Sequence, residues 1–340
     1  MKIDSMKMHI ILSAILILAI SAIISITGIT TALADPVADG AALIEEEKFE
    51  EAREHFKELT KERPDDAEVR YYYGRALLGD GDHDKAIKEF KKAIDLDDTV
   101  SSYHRWLGMA YVEKLDHSSF IKKKSIAGNI KKSFEHAVAA DPENTRARES
   151  LAHFYFEAPG FAGGDRDKAL EQIAEIEKRD VEKALYVRGD YYRHFEEWDD
   201  AIATYRKIEP SDDNDVTPLT LIARTCILAE RYAEGMGAYQ EAYAMDPTSY
   251  NSLYGIGRTA AVSGEFLDSG EAAMLEYVTK DVDPKLHNTH ASAHWRLGNI
   301  YEHMGRKEDA LAQYDRALKL DPDHDLAKKS RKKLRRKKRK

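Results

Sequence analysis

From Ala291 to Pro322 the chain reads ASAHWRLGNIYEHMGRKEDALAQYDRALKLDP, and this spacing constrains the fold more than any other feature. Counted from Ala291, Leu297 stands at 7, Gly298 at 8, Tyr301 at 11, Ala310 at 20, Tyr314 at 24, Ala317 at 27 and Pro322 at 32. Leu297 and Tyr301 share one helix face, as do Ala310, Tyr314 and Ala317, so each half carries an apolar stripe. Gly298 and Ala310 are small, as they must be where two helices cross at close range. Gly305 ends the first helix, Asp309 supports the second and Pro322 stops it. A helix–turn–helix unit this short cannot bury its own apolar face, so it predicts neighbours.

The neighbours are present. Repeat 1 has Gly40, Leu43, Ala52, Phe56 and Pro64, and repeat 2 has Tyr73, Gly74, Leu77, Ala86, Phe90 and Ala93. Repeat 3 opens with Leu107, Gly108 and Tyr111 and closes late with Phe134, Ala137 and Pro142, so KLDHSSFIKKKSIAGN is an insertion between or within its helices. Repeat 4 has Leu151, Ala152 and Tyr155, then EAPGFAGGDRD before Ala169. Repeats 5 and 6 restore the period with Gly189, Tyr192, Ala201 and Tyr205, then Ala223, Cys226, Tyr239, Ala242 and Pro247. Repeat 7 starts well at Ile256, Gly257 and Ala260, but its second helix, around Ser269 to Tyr277, fits poorly.

This pattern resembles the tetratricopeptide repeat, whose period is about 34 residues. The expected fold is all-α: a right-handed superhelical solenoid of about eight helix–turn–helix repeats, at 35–66, 67–100, 101–144, 145–181, 182–215, 216–249, 250–290 and 291–324. Residues 325–340 read as a capping helix that merges into a polybasic tail.

The two ends differ in character. Lys2 and Lys7 precede an uncharged run from Ile10 to Leu33, and Ala32-Leu33-Ala34 offers a small-x-small cleavage site. Residues 1–34 are therefore expected to be a signal peptide, with an uncleaved membrane anchor over residues 10–33 as the alternative. Asp35-Pro36 supplies an N-cap followed by proline at the first helical position, so a helix should begin there. Either reading places the bulk of the chain outside the cytoplasm, in a bacterial periplasm or cell envelope. At the other end, 11 of the 13 residues from Lys328 to Lys340 are Lys or Arg, in a chain whose net charge is −9, so the remainder carries −20. The tail residues Lys332, Lys333, Arg335, Arg336, Lys337, Lys338, Arg339 and Lys340 are the candidate anion-binding set. Without interleaved aromatics they suit an anionic membrane surface or envelope polymer, and nucleic acid is disfavoured outside the cytoplasm. The same tail could instead fold back on the acidic repeats.

The resemblance implies a concave groove, lined by the first helix of each pair, that binds a peptide or protein segment. The positions expected to face it give Tyr71, Arg75, Arg105, His153, Tyr186, Arg224, Tyr254, Arg258 and Trp295 as partner-binding candidates. Aromatic and arginine side chains are the types that most often anchor interfaces. The lysine and asparagine set by which some members of the family clamp a terminal carboxylate is absent.

Other chemistry finds little support. The single cysteine, Cys226, excludes an intramolecular disulfide and a cysteine zinc cluster, and its place in the repeat is a core position. APGFAGGDRDKA lacks the order GxxxxGK[ST] and no strand precedes it, so it reads as a widened turn in which Pro159 halts a helix and Asp165 or Asp167 caps the next. His287, His290, His294 and His303 form a run that could supply imidazoles to a metal, but part of it lies in a loop and the HExxH acid is missing. No catalytic constellation or cofactor fingerprint stands out. The expected protein is a non-enzymatic interaction scaffold without cofactors or a small-molecule substrate; the alternative is an anion-binding accessory protein acting through its tail.

Overall fold

The computed structural model describes residues 35–284 and 288–336, which form seventeen α-helices and no strand. Residues 1–34, where a signal peptide is expected, and Lys337, Lys338, Arg339 and Lys340 lie outside the described residues. The chain divides into two compact units, one ending at Pro142 and one beginning at Glu143.

The first unit holds α1 (Pro36–Glu45), α2 (Phe49–Glu62), α3 (Ala67–Gly79), α4 (His83–Leu96), α5 (Ser101–Asp116) and α6 (Phe120–Ala140). The second holds α7 (Thr145–Glu157), α8 (Arg166–Glu177), α9 (Val181–His194), α10 (Trp198–Tyr205), α11 (Thr217–Leu228) and α12 (Tyr232–Met245). It continues through α13 (Tyr250–Ser263), α14 (Leu267–Tyr277), α15 (His290–His303), α16 (Lys307–Leu320) and α17 (Asp325–Arg336). Within each unit a helix packs on the next one in sequence, and first helices such as α1, α3 and α5 also touch one another. This is an all-α repeat fold.

Several helices start at a side-chain cap. Asp35 accepts a hydrogen bond from the Val37 amide at 3.0 Å, with Pro36 opening α1. Asp66, Asp82, Asn144, Asp165 and Asp180 cap α3, α4, α7, α8 and α9 in the same way. Several hairpins turn through a left-handed residue: Gly81 and Gly305 at φ 82° and 75°, but Glu47, Glu196 and Glu230 at 55°, 59° and 58°. Those glutamates adopt a conformation that costs a side-chain-bearing residue about 1 kcal/mol or more.

The hairpins close by ring-on-glycine contacts. A Cβ on Gly74 would sit 2.7 Å from Phe90, one on Gly189 2.2 Å from Tyr205, and one on Gly298 2.4 Å from Tyr314. Phe90, Tyr205 and Tyr314 are 0 % exposed, and burying a side chain of this size contributes about 2–3 kcal/mol. The irregular seventh hairpin uses different partners: Met274 lies over Gly257, and the small residue against Ala260 is Gly270.

Both insertions take local forms. The one in repeat 3 lengthens α6 to 21 residues. In repeat 4 a short 3₁₀ turn over Gly160–Ala162 leads into Gly163 at φ 105°, and Asp165 then caps α8. Gly164 is required by close approach, because a Cβ there would lie 1.7 Å from the Ala158 carbonyl oxygen. Cys226 is 0 % exposed, within the core of the second unit.

Candidate functional site

In the first unit, three of the sequence candidates converge. Arg75 on α3 places its guanidinium 4.7 Å from the centroid of Trp106 on α5, and Arg105 approaches the same indole at 5.1 Å. Tyr71 and Tyr72 lie 6.0 and 5.8 Å from the Arg75 guanidinium. Arg75 donates from Nη2 to Glu45 Oε1 of α1 at 3.0 Å, while its Nε is buried and without a hydrogen-bond partner. The result is an indole flanked by two guanidinium groups on a surface built from α1, α3 and α5. Each cation–ring contact contributes about 0.5–1 kcal/mol where exposed and more where water is excluded.

Tyr71 belongs beneath this surface and not on it. It is 8 % exposed, with its ring 4.9 Å from Tyr72, 5.0 Å from Tyr103 and 6.2 Å from Phe90. Burial raises the pKa of its hydroxyl, against the nearby charges of Arg75 and Arg105, and burial pushes Tyr103 up to about 12. Both phenols are therefore neutral donors at ordinary pH.

The second unit gathers a different cluster around His153 on α7. Its Nδ1 lies 3.2 Å from Glu157 Oε1 and its Nε2 4.0 Å from Asp190 Oδ2 on α9, while its ring packs on Phe156 at 4.7 Å. Phe156 meets Tyr191 and His194. Asp190 accepts from Tyr205 Oη at 2.7 Å and from Arg193 Nη2 at 2.6 Å. Burial acts to lower the His153 pKa, but Glu157, Asp190 and Glu149 outweigh it and the net shift is upward. The imidazole is thus a conditional cation held between carboxylates.

The remaining candidates are scattered. Tyr254 is corrected to a core residue: it is 6 % exposed and packs edge-on against Tyr277 at 5.3 Å, because its side chain turns between neighbouring helices. Trp295 is half-buried, donating from Nε1 to Ser330 Oγ of α17 at 3.1 Å and carrying the Arg296 guanidinium at 4.2 Å. Tyr186 is half-buried at the edge of the second unit's core, Arg224 is exposed, and Arg258 has a buried Nε without a partner. Trp106 and Glu45 were missed in sequence. The signal for Trp106 was its adjacency to Arg105, one repeat beyond Arg75.

Neither thiol nor histidine geometry suggests chemistry. Burial raises the pKa of Cys226, so the thiol is not activated. His290 Nε2 lies 2.9 Å from the Lys280 carbonyl oxygen and His294 Nδ1 2.7 Å from Gln313 Oε1, while His287 is outside the described residues. No group of three or more metal-ligating side chains occurs among the described residues.

The fold and these surfaces define an all-α protein of stacked helical hairpins that presents arginine and aromatic side chains. The chain carries tetratricopeptide repeats: models of that family match residues 39–101, 161–216 and 291–324. Superkiller complex protein 3 of Mus musculus is 22 % identical over 293 residues, covering 85 % of this chain and 18 % of that protein. Its Homo sapiens counterpart is 22 % identical over 281 residues, covering 81 % and 17 %. The chain thus spans less than a fifth of the length of these curated relatives. A tetratricopeptide repeat protein from Parabacteroides merdae has a similar structure, with a TM-score of 0.52 and 17 % identity over 79 % of this chain and 98 % of that one. A tetratricopeptide-repeat architecture suits a protein-interaction role, and members of the family are in general non-enzymatic.

Proposed function

We propose that this chain is a non-enzymatic interaction scaffold of the cell envelope, which holds a peptide or protein segment on the first-helix surface around Trp106. The Arg75–Trp106–Arg105 arrangement carries the reading. Contact with one indole restrains two guanidinium groups, which removes part of the ordering cost that flexible cations otherwise incur on binding. Glu45 already occupies one edge of Arg75, and a partner carboxylate or backbone carbonyl could take its place. The envelope location rests on the sequence of residues 1–34. The polybasic segment adds attachment to an anion; the second reading, favoured by the cations of α17, makes that attachment the main role and the repeats a spacer.

The test is peptide-array binding by the full chain, comparing the wild type with Arg75→Ala plus Arg105→Ala. Loss of anchors of this kind costs about 2 kcal/mol or more, roughly thirtyfold in affinity. Equal binding of every peptide by both proteins would sink the assignment of the site.

A further inference from the structure

The C-terminal helix is not a solvated tail. Ala327 and Leu334 are 0 and 5 % exposed and Ser330 is half-buried, forming one stripe that seats α17 on α15 and α16. Arg331 and Arg335 reach back to Asp315 Oδ1 and Oδ2 at 2.7 and 3.4 Å, and Lys328 reaches Asp323 at 3.1 Å. Lys329, Lys332, Lys333 and Arg336 are exposed and have no carboxylate partner among the described residues. Among the described residues, an open hollow of about 530 Å³ is lined by Lys328, Arg331, Lys332, Arg335 and Arg336. Part of the positive charge is therefore neutralised by the last repeat, and the larger part faces water.

We infer that this outward face of α17 is an electrostatic docking surface for an anionic phospholipid membrane, an assignment that rests on the anion-attachment reading above. The helix has no aromatic, Asn or Gln side chain with which to stack on bases or read their edges. Its apolar stripe is already buried against its own repeat, and only Leu326 is exposed, so it cannot insert as an amphipathic membrane helix does. What remains is a row of cations, Lys329, Lys332, Lys333 and Arg336, over about two turns, which suits a plane of phosphates touched from above. The sequence run from Ile10 to Leu33, preceded by Lys2 and Lys7, brings the same chain to a membrane whether it acts as export signal or as anchor. Lipid phosphate is thus the phosphate nearest to hand.

The test is sedimentation of the full chain with vesicles of phosphatidylcholine alone or with about one third phosphatidylglycerol, at about 0.1 M salt. Wild type is compared with a variant carrying Lys329→Gln, Lys332→Gln, Lys333→Gln and Arg336→Gln, and with one carrying the three lysines as arginine. Any contribution of residues 1–34 is common to all three proteins. Each cation near a charged surface contributes about fivefold to partitioning, so the glutamine variant, which removes four, should bind anionic vesicles roughly six-hundredfold more weakly, whereas the arginine variant should bind like wild type. Thermal melting of the glutamine variant checks that α17 still docks. Equal partitioning of wild type to neutral and anionic vesicles, or of the glutamine variant and wild type to anionic ones, overturns the inference. A short DNA duplex is the third arm: duplex binding without vesicle binding overturns the lipid assignment while leaving anion attachment standing, and binding to neither sinks both.

Discussion

Arg75 and Arg105 in the first unit and the cations of α17 in the second carry the same charge in opposite settings. The first pair is stacked on an indole, with one guanidinium nitrogen buried, so position is fixed and the number of charges is small. The α17 set is numerous and mostly free to move in water, with two of its arginines tied to one aspartate. A cation held by a ring can select the shape of what it meets. A cation on a solvated arc responds mainly to how much opposite charge is near, and salt screens it. His153 is a third case, whose charge depends on pH.

The largest effect should come from removing the packing that supports the fixed pair. In Gly74→Val the added carbons meet the Phe90 ring, which leaves no room at 2.7 Å. Overpacking of this kind costs about 1–3 kcal/mol. Urea unfolding should show that loss, and peptide binding at Trp106 should fall with it while vesicle binding through α17 persists. A parallel loss of both would mean that the two surfaces are not independent.

The conditional cation comes next. A pKa raised on folding means that His153 contributes stability below its unfolded value of about 6.5, and that this contribution is lost as pH rises through the higher folded value. Melting temperatures at about pH 6 and pH 8 should therefore fall more in wild type than in His153→Gln. An identical pH slope in the two proteins would remove His153 from the account.

Arg75→Lys then sharpens the contrast between fixed and mobile charge. It keeps the cation but not the planar group that stacks on Trp106, and the loss in peptide affinity should be about 1 kcal/mol, read by Trp106 fluorescence. The smallest change expected is a gain. Glu196→Gly relieves a left-handed residue at φ 59°, so stability should rise by about 1 kcal/mol in thermal melts, with no effect on either surface.

Much of the fold was legible because its determinants are local. Gly298 and Tyr314, or Gly74 and Phe90, stand at fixed spacings within one hairpin, and the caps at Asp35 and Asp165 act on amides two or three residues away. The site was legible only in part, because it depends on contacts between hairpins. Position in the repeat brought out Arg75 and Arg105, but Trp106 between them follows from how α3 and α5 stand side by side. The same reading misjudged Tyr254, whose ring packs on Tyr277 in the core, and did not foresee that half-buried Trp295 would bond to Ser330 of α17. The seventh hairpin fitted poorly because Met274 takes the place of the ring over Gly257 and Gly270 supplies the small contact to Ala260.

The central claim is that the indole between Arg75 and Arg105 is a place where a partner segment binds. The most direct measurement is the fluorescence of Trp106, with Trp198 and Trp295 replaced by Phe, titrated with peptides that bind the full chain on an array. The account predicts a saturable change that is abolished by Arg75→Ala plus Arg105→Ala and little altered by the glutamine substitutions in α17. A peptide that binds the full chain without changing Trp106 fluorescence, and equally well when both arginines are gone, would contradict it.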